Sequence, residues 1–271
     1  MPVCAEMKGG RMKVLYIAAA LALSSPALAA VESTGSVDTS ASIVELEGIS
    51  GIIEVQAANI EELEVDWTVT AATAEQLEKV TVETREEDGA LSVWVDFAEG
   101  DMSLEDHGVD FSLRVPADWE GRLDLRQVSG DITCIAGGTF DLMAQCVSGD
   151  LEVYGVTGDV HLRTVSGGLL FADLPGLREA QVVSGTMQGS IERLENSLEI
   201  DCVSGTIDLA IPDDLPGRVD ISAMSGGIEI GEGLSGFTLE EGVAGISAAR
   251  GSGEPVLSVS SLSGEAALRA L

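Results

Sequence analysis

The sequence predicts an all-β protein: a parallel β-solenoid with coils of 18–21 residues and a longer-stranded N-terminal part. Three observations predict it. A Ser-Gly phrase recurs, as "QVSGDITCI", "CVSGDLEVY", "TVSGGLLFA", "VVSGTMQGS", "CVSGTIDLA" and "AMSGGIEIG". Apolar and polar residues alternate on both sides of each pair, the period of a strand with one face inward. The 32 glycines, the low aromatic share of 4% and the many Val, Ile, Leu, Thr and Ser suit short strands joined by turns.

Residues 1–29 read as a secretory signal peptide. Lys8, Arg11 and Lys13 precede "VLYIAAALAL" (Val14–Leu23), and Ala27-Leu28-Ala29 supplies a small-x-small cleavage site. The apolar run has ten residues, half of the roughly 20 that a membrane-spanning helix needs. Cys4 lies before the run, so it is not a lipoprotein cysteine. "MKVLYIAAALAL" is a complete signal by itself, which leaves Met1, Met7 and Met12 as alternative starts. The mature chain is expected outside the cytoplasm, periplasmic or secreted to the cell surface, with no transmembrane segment.

Residues 30–271 read as a single β-solenoid domain in three parts: N-terminal strands over 30–122, regular Ser-Gly coils over 123–232, and irregular C-terminal coils over 233–271. In the first part "IVELEGISGIIEV" already has the repeat pattern, with Val44, Leu46 and Ile49 before Ser50 and Ile53 and Val55 after it. Between Gln56 and Arg122 the Ser-Gly signal vanishes, and "LEVDWTV", "KVTVETR", "ALSVWVDF" and "VDFSLRVP" predict four strands. "TAEQLEKV" predicts a helical turn, and Glu87-Asp88-Gly89 a hairpin.

In the second part the serines fall at Ser129, Ser148, Ser166, Ser184, Ser204 and Ser225, steps of 19, 18, 18, 20 and 21 residues. Such periods mark solenoids, whose units cannot bury an apolar face alone. Three positions after each serine stand Ile132, Leu151, Leu169, Met187, Ile207 and Ile228. Four before stand Leu125, Leu162, Ile200 and Ile221, with the smaller Ala144 and Ala180. Stacked coils would superpose these columns at about 4.8 Å. The glycine lets the chain turn where a Cβ would clash, so the phrase is the corner and first strand of each coil. In the third part, Leu234 to Glu254 is expected as loops near a cap, and "LSVSSLSGEAAL" repeats the pattern around Ser263.

"VDFSLRVP", the successive "VSGDI"-like repeats, "IDLAIPDDLPGRVDISAMSGGIEI" and the closing "GSGEPVLSVSSLSGEAAL" resemble the bacterial DUF4097 β-strand-repeat family, over about Ser42 to Leu268. That family is similar to the adhesin-like (GIN-domain) proteins of bacterial envelopes. The resemblance implies a right-handed, β-helix-like parallel solenoid outside the cytoplasm. It carries over no catalytic residues.

The formal net charge is −32. Without residues 1–29 the chain has 11 basic against 45 acidic side chains, and Lys79 is its only lysine. Such a surface repels nucleic acid and anionic lipid, which are bound through Lys and Arg. It suits solubility, divalent cations or basic partners.

Signals for chemistry are few. Only His107 and His161 are present, no Cys-x-x-Cys occurs, and Gly-x-Ser-x-Gly and phosphate-loop motifs are absent from the sequence. The loop around Asp101, Glu105, Asp106 and Asp110 is acidic but lacks the EF-hand spacing. His161 falls on an outward position, and Trp94 faces away from Val93 and Val95, open to a sugar or covered by a neighbouring segment. Glu179, Glu199 and Asp220, each five positions before its serine, are expected as a carboxylate ladder over consecutive coils, a candidate weak Ca²⁺ site. Cys134, Cys146 and Cys202 are expected as free, buried thiols, because coil spacing keeps them apart.

The function expected is a non-catalytic exported envelope protein, an adhesin-like scaffold without a cofactor. It would bind a surface, a polysaccharide or an envelope protein. A polysaccharide-active β-helix lyase or hydrolase is the alternative from fold analogy. Its weakness is the scarcity of basic residues, such as Arg126 and Arg163, to hold uronates. An envelope signalling accessory is the other.

Overall fold

The computed structural model describes residues 12–13, 30–98, 107–242 and 245–271, so the expected signal peptide lies outside the described residues apart from Met12–Lys13. Those two residues form β1, antiparallel to Ser36 and Val37 of β2 (Val31–Thr39). Next come β3 (Ile43–Ala58), β4 (Leu63–Ala71), the short α1 (Ala74–Leu77), β5 (Val80–Glu87), β6 (Ala90–Phe97) and β7 (His107–Pro116). The coils follow as β8 (Arg122–Gly138), β9 (Asp141–Ser148) with β10 (Leu151–Val156), β11 (Val160–Ala172), β12 (Leu177–Ser190), β13 (Leu198–Ile211) and β14 (Arg218–Ile230). The chain ends with β15 (Thr238–Gly242), β16 (Gly245–Gly251) and β17 (Val256–Ala270).

Each coil has two arms joined at the Ser-Gly corner, and the alternation of side chains slips there. Before the corner the residues six, four and two positions ahead of the serine point inward; after it the third and fifth do. In β13 these are Leu198, Ile200 and Cys202, then Ile207 and Leu209, all buried. Two inward positions five residues apart cannot belong to one strand of period two. The Ser-Gly pair absorbs the odd residue. Its glycines all lie at positive φ, from +114° at Gly51 to +152° at Gly205 and Gly226. A Cβ on Gly185 would strike the carbonyl oxygen of Gly167 one coil away, so no other residue fits the stacked corner.

Parallel pairing stacks the coils in register, serine on serine, from Ser50 through Ser129, Ser148, Ser166 and Ser184 to Ser204. Where the corner interrupts the backbone ladder, a carboxylate replaces it. Asp131 Oδ1 accepts from the N–H of Asp150 at 2.8 Å, and Asp150 Oδ1 from that of Gly168 at 2.7 Å. The columns expected from the sequence form the core, with Ile132, Leu151, Leu169, Met187 and Ile207 all buried. Each such side chain contributes about 1.5–3 kcal/mol on leaving water.

After β13 the chain departs from its own order. β17, the last strand, lies between β13 and β14 and pairs parallel with both. It is tied at its start by Ser197 Oγ, which accepts from the N–H of Val256 at 3.1 Å and donates to Glu254 at 2.6 Å. At its end Arg269 pairs with Asp208 at 2.7 Å, and the N–H of Leu271 donates to the carbonyl of Ile211. The closing segment is therefore a regular coil inside the stack.

Antiparallel strands close both ends. At the N-terminal end, β6 pairs with the first arm of β3 and carries β5; β7 pairs with the second arm and carries β4 and β2. Asp88 and Gly89, both at positive φ, make the expected hairpin turn, and Thr73 caps α1. At the other end, Leu234 to Glu254 was expected as loops. It contains a hairpin, β15 with β16, whose second strand runs antiparallel to Arg218–Ala223. No burial period betrays it, because β15 is exposed along its whole length. Ile228, expected in the buried column, is half-buried, since β14 is the last coil and only β17 packs against its second arm.

Candidate interaction surface

The carboxylate ladder is divided by the last strand. Glu179 and Glu199 are register partners, but the next residue in that row is Ser258, and Asp220 lies beyond it. Glu179 also faces His161 Nδ1 at 3.4 Å and Arg163 at 3.7 Å, and Asp220 takes the guanidinium of Arg218 at 2.8 Å. The expected row of three consecutive carboxylates is thus a pair and a separate, neutralised residue. Among the described residues no group of three or more His, Cys, Asp or Glu side chains gathers as a metal site.

The remaining sequence candidates are dispersed. Asp101, Glu105 and Asp106 lie outside the described residues; Asp110 uses Oδ1 to accept from the N–H of Ile52 at 3.0 Å, a corner bond like those of Asp131 and Asp150. His107 is buried at the start of β7, with its ring edge-on to Phe97 at 6.4 Å. Trp94 is half-buried on the outer face of β6. Arg126 is held by Glu47 at 2.8 Å and Asp124 at 3.2 Å. Cys134, Cys146 and Cys202 are free and buried, and burial pushes the Cys134 thiol up to about 12 and the Cys146 thiol up to about 11. Thiols so protonated behave as small apolar side chains, not nucleophiles.

The most regular surface feature is one the sequence reading passed over. The residue immediately before each corner serine is apolar and faces water. In stacking order these are Val128, Val147, Val165, Val183, Val203, Leu262 and Met224, with exposures of 40–63%. Ile49, half-buried, begins the row at the other end. Serine-on-serine register places one on every coil, so the exposed ones form a ridge roughly 29 Å long at about 4.8 Å per step. The signal was available: a residue three positions after an inward one must point outward, so a valine there is apolar surface, not core. Isolated exposed apolar residues are ordinary, but a contiguous row marks a contact surface.

At its C-terminal end the ridge enters a cavity of about 450 Å³ beneath the β15–β16 hairpin. Met224 and Leu262, the last two rungs, line it together with Ser222, Ser247, Glu240 and Glu241.

Residues 136–269 match the family described as Toastrack DUF4097. No curated protein matches the chain. Among solved structures, the chain is similar to a candidate cell adhesion protein from Clostridium sporogenes, with 12% identity over 89% of this chain and 99% of that one, TM-score 0.39. A candidate adhesin from Bacteroides fragilis aligns with 10% identity over 91% and 99%, TM-score 0.32. A candidate lipid-binding protein from Parabacteroides distasonis aligns with 13% identity over 89% and 96%, TM-score 0.25.

Proposed function

We propose that this chain, whose residues 136–269 match the Toastrack DUF4097 family, is a non-catalytic exported envelope protein of that family, an adhesin-like scaffold that binds a partner along its stacked coils. The observation that carries this reading is the exposed apolar row, repeated once per coil on a rigid support. Solenoids present such extended, repetitive surfaces for binding. The parallel coils, read as a right-handed β-solenoid, supply the rigidity. An N-terminal signal peptide delivers the chain to the periplasm or cell surface. No helix among the described residues is long and apolar enough to cross a membrane.

Among the described residues no constellation supports the lyase or hydrolase reading. Arg126 and Arg163, which would have to hold a uronate, already face carboxylates of the same protein.

Two assays test the proposal. The purified mature protein is expected to co-sediment saturably with envelope fractions, peptidoglycan, outer-membrane sheets or surface polysaccharide, and to turn over none of them. Turnover of a polysaccharide, abolished by one carboxylate substitution, would overturn it.

A further inference from the structure

The ridge has a definable partner chemistry. Seven exposed apolar side chains lie in one line on a protein of net charge −32. Two positions after the serines, on the far side of the corner, exposed carboxylates stand on three of the seven coils, Asp131 and Asp150 at one end and Glu265 near the other, with Gly168, Thr186, Thr206 and Gly227 on the rest. On the near side Arg126 and Arg163 are already paired with carboxylates of the chain. The line ends in the cavity, whose lining includes the apolar Met224, Leu262 and Ile246 and the exposed Glu240 and Glu241. An apolar strip with carboxylates near both ends, adjoining a cavity lined by apolar side chains and two glutamates, is complementary to side chains with an aliphatic stem and a cationic head. Lys and Arg are of that kind. A second copy of this chain would bring two strongly acidic surfaces together.

We propose that the ridge from Val128 to Met224 and the adjoining cavity form one docking site for an extended, cationic, apolar-rich polypeptide segment, which packs apolar side chains along the valine row and places a Lys or Arg against a glutamate of the cavity, Glu240 or Glu241. This rests on the scaffold reading above and adds the partner's chemistry to it. The apolar row supplies affinity, because methyl surface leaves water along its length. The carboxylates supply orientation and a fast, salt-sensitive encounter. A ridge of about 29 Å accommodates roughly nine residues of extended chain at about 3.4 Å each.

The test uses a fluorescent nine-residue peptide of alternating lysine and valine, titrated with the mature protein and followed by anisotropy. A lysine–serine peptide of the same charge and a glutamate–valine peptide are the controls. The lysine–valine peptide is expected to bind much more tightly than either. Combined Val147→Thr, Val165→Thr and Val183→Thr substitutions keep the β-branched shape at exposed sites and are expected to weaken it about tenfold or more. Glu240→Gln with Glu241→Gln is expected to weaken it several-fold and flatten its salt dependence. Gln188→Ala, on the outer face of the second arm, should leave it unchanged. Equal binding of the lysine–serine peptide would reduce the effect to bulk charge and overturn the proposal; equal binding of the glutamate–valine peptide would remove the cationic requirement. Absence of binding would overturn it outright. Threonine-variant protein that still co-sediments with envelope material would refute the ridge while leaving the scaffold reading intact; wild-type protein that binds no envelope material would refute the scaffold reading itself.

Discussion

Coils β8 to β13 stack in the order in which the chain supplies them, whereas the last coils do not. In the first region each unit pairs with its sequence neighbours, and connections of a few residues suffice. In the second, β14 forms the end of the stack, the chain doubles back through β15 and β16, and β17 enters between β13 and β14. The same corner phrase serves both. A repeat thus specifies which residues share a column, but not which coils are neighbours. The difference has an energetic consequence: residues of β17 are flanked on both sides, whereas the second arm of β14 is flanked by β17 alone.

The largest effect should come from removing the inserted coil. Truncation after Glu254 deletes β17 and leaves the facing edges of β13 and β14 without their common partner. We expect loss of the cooperative thermal transition, followed by circular dichroism. A melt like that of the full chain would mean that β13 and β14 can pair directly and that the two regions follow one rule.

Single core substitutions sharpen the contrast. Ile207→Asp would put an unpaired charge among buried side chains and should cost several kcal/mol. Asp208→Ala, one residue on, loses one exposed ion pair with Arg269 and should cost about 1 kcal/mol or less. Equal melting temperatures for the two variants would show that inward and outward columns are misassigned. In the middle of the stack Leu169→Ala should cost about 2–5 kcal/mol, and half-buried Ile228→Ala clearly less. The corner itself is tested by Gly185→Ala, which forces a Cβ against the Gly167 carbonyl at φ +149° and should cost about 1–3 kcal/mol or more.

The inward columns were legible because burial on one face of a strand imposes period two on the sequence, and Leu151, Leu169 and Ile207 obey it. So was the turn at Asp88-Gly89, which depends on local backbone preference. The insertion of β17 was not, because "LSVSSLSGEAAL" has the same pattern as every other coil and any of them could be its neighbour. The β15–β16 hairpin was hidden for the opposite reason: β15, exposed throughout, needs no apolar alternation. The carboxylate row failed with the stacking order, since Ser258 stands where consecutive coils would have put Asp220 beside Glu199. The ridge was legible in principle from the residue before each serine, but an apolar residue in a strand is easily taken for core.

The smallest effect concerns cations. With Ser258 interrupting the row, millimolar Ca²⁺ is expected to raise the melting temperature no further than NaCl of matched ionic strength. A calcium-specific rise, removed by Glu199→Gln, would restore the carboxylate column and with it the simple coil order.

The insertion of the last strand is tested most directly by paired cysteines on the outward row. Register partners on adjacent strands lie about 4.8 Å apart and residues two strands apart nearly 10 Å, while a disulfide requires Cα atoms within about 7 Å. Mild oxidation should therefore bridge Glu199→Cys with Ser258→Cys, and Ser258→Cys with Asp220→Cys, as read by mass analysis of non-reduced peptides. Glu199→Cys with Asp220→Cys should stay reduced. A bridge in that last pair, with both Ser258→Cys pairs silent, would place β14 directly on β13 and contradict the fold described.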